Sequence, residues 1–266
     1  MNAAPQPDRL VRYVAEGAPR HGLDRGDHFA RLSAAPWQGG VPLGVRDDAA
    51  HPLLAPSEPS KIICIGLNYA EHVRESLTVA PGASAPPTEP LFFFKPPSAV
   101  LAPGGAIVKP AGLERLDPEG EMALVIGRRA RHVSEGEALA CVAGVTCFND
   151  VSARDWQKRD SQWSRAKGSD TFAPFGPCVA LGLDPRDLAL ELAVNGETRQ
   201  SVRTSGMHFG PAFLVSWLSR FVTLEPGDVI ATGTPAGIAP IEPGDVVSVT
   251  VEGVGTLSNP VVAGPA

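Results

Sequence analysis

The sequence predicts an α+β fold in which β-structure dominates, and three observations carry that prediction. Gly 28 and Pro 27 in 266 residues cut the chain into short elements joined by turns, which suits strands better than long helices. The clearest apolar runs are brief and bounded by turn residues, as strands are. Helical signals are few and short. A hydrophobic content of 43% with 20% charged residues is that of an ordinary globular protein, long enough for one large domain or one plus a small annex.

Residues 1–59 lack a strong periodicity and end in a Pro-containing stretch; they read as a small β-rich annex, with residues 60–266 as the main domain. The run Lys61-Ile-Ile-Cys-Ile-Gly66 is a strand candidate that delivers residues 67–76 as a short helix. Residues 79–90 are rich in Pro, Ala and Gly with almost nothing to bury, and are expected to be a mobile segment where a lid would sit. Residues 91–95 (Leu-Phe-Phe-Phe-Lys) and the apolar run after Glu121 are further strands. Ser134 with Glu137 fits a capping box. Residues 188–194 alternate and meet Asn195-Gly196, the signature of a type I′ hairpin. Residues 211–221 read as an amphipathic helix with Pro at its first position. Glu-Pro-Gly-Asp-Val occurs at 225–229 and again at 242–246, each copy a Pro-Gly turn feeding a strand.

Composition excludes several classes. A formal net charge of −6 gives no electrostatic case for nucleic acid or an anionic membrane. No stretch is apolar for long enough to span a bilayer. The N-terminal residues lack an apolar signal core, and Cys64, Cys141, Cys147 and Cys178 show no Cys-x-x-Cys spacing. A cytoplasmic protein with reduced, mostly buried thiols is expected.

The chemistry is concentrated in acidic residues. Glu119 and Glu121 stand two apart at the mouth of an apolar strand, so their side chains share a face. At about 4 Å and an effective dielectric near 20 they repel by about 4 kcal/mol, which calls for a cation or full solvation. Asp150 enters from another strand end. An oxygen-only set without paired His or Cys points to Mg²⁺ or Mn²⁺ before Ca²⁺. His72 and Glu75 lie one helical turn apart, where the carboxylate can fix the imidazole tautomer for general-base work. Arg154 and Gln157 share a helix face beside Asp150, suited to a substrate carboxylate. Lys167, in a loop next to Gly168, can polarise a keto oxygen. The loop 231–237 (Ala-Thr-Gly-Thr-Pro-Ala-Gly) offers amides and Thr hydroxyls, Thr234 among them, to a carboxylate or oxyanion.

These motifs, in order, are familiar. Gly66-Leu-Asn-Tyr-Ala-Glu-His-Val-Arg-Glu75, Asp117-Pro-Glu-Gly-Glu-Met-Ala-Leu-Val-Ile-Gly127, Asn149-Asp-Val-Ser-Ala-Arg-Asp155, Lys167-Gly-Ser-Asp-Thr-Phe172, Asn195-Gly-Glu197 and Gly233-Thr-Pro235 together resemble the fumarylacetoacetate hydrolase family. The resemblance spans residues 60 to 262, with a short N-terminal portion like that of the compact members. It implies a layered β-sheet fold of the family's C-terminal type, usually dimeric. It also implies Mg²⁺ or Mn²⁺ on Glu119, Glu121 and Asp150, a His72–Glu75 dyad on a lid helix, Lys167 facing the substrate, and Arg154, Gln157 and Thr234 contacting it. One departure is Pro118, where the motif commonly has Tyr; Pro removes a ladder donor beside the metal.

The activity so implied is carbon–carbon bond cleavage in 2-oxo or 2,4-dioxo acids through a metal-stabilised enolate, with hydrolysis expected first. Decarboxylation or isomerisation of the homoprotocatechuate type, in aromatic catabolism, and oxaloacetate decarboxylation are the alternatives; the loop around Lys167 looks closest to that isomerase and decarboxylase branch. The competing class is a non-catalytic metal and carboxylic-acid binder, which would have no use for His72 beside Glu75.

Overall fold

The computed structural model describes residues 6–79 and 87–265, without the side chains of 76–79. Most of the segment read as a lid falls on 80–86, outside the described residues. The chain opens with β1 (Arg9–Ala15), β2 (Ala18–Asp24), β3 (His28–Leu32), β4 (Pro42–Asp48) and the short β5 (Leu53–Leu54). Then come β6 (Ile62–Gly66), α1 (Ala70–Val79), β7 (Leu91–Lys95), β8 (Val100–Leu101), β9 (Ile107–Lys109), β10 (Leu116–Asp117) and β11 (Gly120–Ile126). After α2 (Glu135–Ala138) follow β12 (Val142–Asn149), β13 (Ser152–Ala153), α3 (Arg154–Arg159), α4 (Ser164–Gly168) and β14 (Ala173–Leu181). The C-terminal part holds β15 (Ala189–Val194), β16 (Glu197–Arg203), α5 (Pro211–Ser219), β17 (Val229–Ala231), β18 (Val246–Val251) and β19 (Gly255–Ala263).

One large sheet runs in the order β4-β3-β2-β1-β14-β12-β11-β17-β6-β7, and a second runs β16-β15-β18-β19-β9. The N-terminal strands therefore extend the main sheet, through the antiparallel pairing of β1 with β14. Central strands such as β11 are buried at every position, as strands covered on both faces must be. The main core gathers Met122, Leu124 and Ile126 with Leu190, Leu192 and Val249 of the second sheet.

The local signals resolve as their chemistry requires. Asn195 and Gly196 take φ of 52° and 80°, the pair of positive values that a type I′ turn needs. Gly227 and Gly244, in the two Glu-Pro-Gly-Asp turns, are at 91° and 103°. In the box before α2 the backbone amide and the hydroxyl of Ser134 both donate to the Glu137 carboxylate, at 3.3 and 2.6 Å. α5 starts with Pro at its first position and ends two residues short of Phe221. Lys167 lies on α4, not in a loop; the amide of Lys167 donates to the carbonyl of Trp163 at 2.9 Å and closes that turn. Pro118 occupies the gap between β10 and β11, where no ladder bond is lost.

Pairing places the site. β11 starts where β12 ends, with Gly120 opposite Asn149, and the amide of Asp150 donates to the carbonyl of Glu119 at 2.9 Å. β17 runs antiparallel to β11 and parallel to β6. The loop after β17 and the turn into α1 therefore reach the same end of the sheet.

Candidate metal centre and active site

Glu119, Glu121 and Asp150 are all buried and offer one oxygen each within 4.8 Å of one another. The glutamates are not the symmetrical repelling pair that a single strand would give, because Glu119 precedes β11. Glu119 is braced by Arg154, and Lys167 Nζ donates to Glu119 Oε2 at 2.6 Å and to Asp150 Oδ2 at 2.7 Å. Burial alone would raise the Glu119 pKa, but Arg154 and Lys167 outweigh it and hold the carboxyl well below the usual range. Glu121 has no cation within ion-pair distance among the described residues and accepts a hydrogen bond from the Gly233 amide at 2.7 Å. Burial, then the charges of Asp150 and Glu119, push Glu121 well above the carboxylate range. Burial works to lower the Lys167 pKa, but Asp150 and Glu119 raise it overall.

The donor set fits a hard divalent cation. Three buried carboxylates converge, and Glu121 lacks a positive partner among the described residues. Asp150 Oδ1 accepts no hydrogen bond although the Lys95 ammonium lies 2.6 Å away, which leaves it able to ligate a metal.

The other expected residues line one cavity of about 480 Å³ with the triad: His72, Arg154, Gln157, Lys167 and Thr234. Glu75 stands behind His72, its Oε2 3.4 Å from His72 Nδ1, and accepts from the Gly237 amide at 3.2 Å. Burial opposes ionisation of Glu75, but His72 and the Gly237 amide bring its pKa below the usual value. Arg154 Nε donates to Asp117 at 2.8 Å and Nη1 to Gln157 at 2.7 Å, so three of its five N–H donors serve the protein itself.

The loop 231–237 departs from its expected use. Its Gly233 amide holds Glu121 and its Gly237 amide holds Glu75. Thr234 Oγ1 donates to Gly120 O and accepts from Gln200, both at 2.9 Å. The carboxylates of Glu121 and Glu75 take amides that the sequence offered to a substrate anion. Four residues escaped the sequence reading: Asp117, which seats Arg154; Phe93 and Trp163, whose rings meet edge-on at 5.5 Å in the cavity wall; and the fully buried Lys95. A signal existed for Lys95, a lone charge closing an aromatic strand two residues after Phe93 and so on the same face.

The model of the fumarylacetoacetate hydrolase C-terminal region matches residues 61–262. The chain belongs to the fumarylacetoacetate hydrolase family. It is 40% identical to the 2-hydroxyhepta-2,4-diene-1,7-dioate isomerase from Mycobacterium marinum, whose crystal structure superposes with a TM-score of 0.88 over 97% of this chain and 100% of that one. It is 38% identical over 252 residues to the mitochondrial oxaloacetate tautomerase Fahd2a of Rattus norvegicus, covering 90% of this chain and 78% of the relative. The maleylpyruvate hydrolase of Sphingobium sp. SYK-6, solved with manganese (II) and pyruvate, is 28% identical with a TM-score of 0.78, over 97% and 100% of the two chains. Relatives in this family thus include isomerases, a tautomerase and a hydrolase of small oxo acids. The β-dominant layered fold is the family's fold.

Proposed function

We propose that the protein is a divalent-metal-dependent enzyme that moves a proton in a 2-oxo acid, interconverting enol and keto forms. The observation that carries this reading is that the carboxylate triad and His72 face one cavity, with Glu75 behind the imidazole. Isomerase and tautomerase relatives aligned over most of the chain support it. Mg²⁺ or Mn²⁺ on Glu119, Glu121 and Asp150 would supply a Lewis acid toward the carboxylate and 2-oxo oxygens of the substrate. Glu75 keeps the ring proton of His72 on Nδ1, which leaves Nε2 as the base and acid that carries the substrate proton. Lys167 spends two N–H groups on Glu119 and Asp150 and has its third for an oxygen that gains charge. Gln157 and the remaining donors of Arg154 orient the acid group. Ile65, Leu67, Phe93, Trp163 and Ile238 wall the rest of the cavity and exclude water.

Hydrolysis of a carbon–carbon bond in a 2,4-dioxo acid is the second reading, favoured by the same dyad, since a base able to take a carbon-bound proton can also activate water. The two separate in one assay. With Mn²⁺ present, oxaloacetate and 2-hydroxyhepta-2,4-diene-1,7-dioate are followed for loss of the enol absorbance and solvent deuterium uptake, and acylpyruvates for release of two acids. The expected result is metal-dependent isomerisation that falls about 10²- to 10⁴-fold in His72→Ala and disappears with EDTA. Isomerisation undiminished in His72→Ala, or acid release with no isomerisation, would overturn the first reading.

A further inference from the structure

Lys95 is 0% exposed, though it is a lysine on the last position of a sheet-edge strand. Burying an ammonium is costly unless every proton is used and the charge is matched. Lys95 Nζ donates to three carbonyls: that of Val151 at 3.2 Å, that of Phe172 at 2.8 Å and that of Lys167. Those three bonds use all three protons of the ammonium. The anion that matches the charge is Asp150, whose Oδ1 lies 2.6 Å from Nζ. Yet Asp150 Oδ1 accepts no hydrogen bond, because the carbonyls have taken the protons. The result is an aspartate whose Oδ2 is held by Lys167 while Oδ1 stands beside a positive charge without a hydrogen bond.

The three carbonyls also belong to segments that the site needs. Val151 follows Asp150 directly. Lys167 is the residue whose ammonium bridges Glu119 and Asp150. Phe172 leads into β14. One side chain thus ties the backbone at both ends of the Asp150–Lys167 contact.

We propose that Lys95 is a positioning residue of the metal centre, one that clamps the Asp150 and Lys167 segments through their carbonyls and presents Asp150 Oδ1 as a free donor to a divalent cation. This rests on the reading that the triad holds such a cation. A lysine that was only a nearby positive charge would have the opposite effect, since removing it would make cation binding tighter. The sign of the change therefore decides.

The test measures Mn²⁺ affinity by electron paramagnetic resonance, together with thermal unfolding in the absence of metal. Wild type, Lys95→Met, Lys95→Arg and Leu190→Ala are compared, the last a core truncation in the second sheet that lowers stability without touching the site. Expected is a loss of Mn²⁺ affinity of about tenfold or more in Lys95→Met and in Lys95→Arg, whose guanidinium keeps the charge but misses the carbonyl clamp. Leu190→Ala should bind as wild type does. Unchanged or tighter Mn²⁺ binding in a folded Lys95 variant overturns the proposal, and so does an equal loss in Leu190→Ala, which marks the effect as general destabilisation. If neither Lys95 variant folds, the ζ-nitrogen resonances of the wild-type lysines are read during a Mg²⁺ titration. A shift of the buried Lys95 ammonium as Asp150 takes up the ion supports the clamp, and an unmoved resonance at saturating Mg²⁺ overturns it. Wild type that binds neither ion removes the metal reading itself, a different failure from that of Lys95.

Discussion

Glu119 and Glu121 are two residues apart and equally enclosed, yet their surroundings drive them in opposite directions. Arg154 and Lys167 keep Glu119 ionised, while Glu121 faces two anions with an amide for support. Their substitutions should therefore differ. Glu119→Ala leaves Lys167 with Asp150 alone and Arg154 with Asp117 alone as anionic partners. In urea unfolding without metal it should destabilise, by less than the roughly 3–5 kcal/mol of a fully unpaired buried charge. Glu121→Gln keeps an acceptor for the Gly233 amide and ends the repulsion, so its unfolding midpoint should equal or exceed that of wild type. Both should lose Mn²⁺ binding by calorimetry; a Glu121→Gln protein that binds as wild type does would remove Glu121 from the ligand set. At this scale the sequence was informative about identity and less so about partners. The spacing of Glu119, Glu121 and Asp150 pointed to a cation, but Lys95 comes from a strand remote in sequence and Asp117 braces a partner, Arg154, that is equally remote, so only their folded positions show what they touch.

At the scale of elements, the N-terminal strands carry a polar cluster of their own. Asp47 on β4 accepts from both Arg31 Nε at 2.7 Å and Tyr13 Oη at 2.5 Å. The Arg31 hydrogen bonds hold its pKa down at about 2, below the roughly 3.9 of an unfolded chain. A depressed folded pKa means that the stabilisation is fully present above about pH 4 and is lost as pH falls toward 2. Asp47→Asn should thus unfold at a lower temperature than wild type at pH 7, with the gap closing between pH 4 and pH 2. A gap that stays constant over that range would show that the carboxylate charge contributes nothing. Elements were the most readable level of this chain. The strands after residues 60 and 187, the Asn195-Gly196 turn and the Pro-Gly turns follow local rules that operate on neighbouring residues. The helix carrying Lys167 was hidden because Gly168 and Ser169 look like loop chemistry, and it is fixed from outside, by the carbonyl contact to Lys95.

For the whole molecule, the edge strand β7 leaves Leu91 and Phe94 exposed, and Phe221 is exposed beyond α5. Phe92 links the two, with its ring 5.7 Å from those of both Phe94 and Trp217, and Trp217 lies 4.7 Å from Phe221. An apolar strip of this kind on an open sheet edge favours self-association, in keeping with the dimer that the family resemblance implies. Light scattering is expected to give twice the chain mass, and Phe94→Glu to give the monomer; a wild-type monomer at micromolar concentration would contradict this. Sequence could not reveal the strip, since an aromatic strand reads the same whether its far edge is covered or open.

The loop that holds Glu121 through Gly233 and Glu75 through Gly237 has a consequence for anyone redesigning this enzyme. A Cβ on Gly237, at a φ of +107°, would meet the Arg199 carbonyl oxygen at 2.1 Å, so that amide can be carried by glycine alone. The centre is partly written in main chain. Transplanting the acidic side chains and the imidazole onto another scaffold would leave behind the two peptide groups that aim them, and a mutational scan should show this short stretch as a blank strip. The portable unit is the loop together with its strand, not the set of catalytic letters.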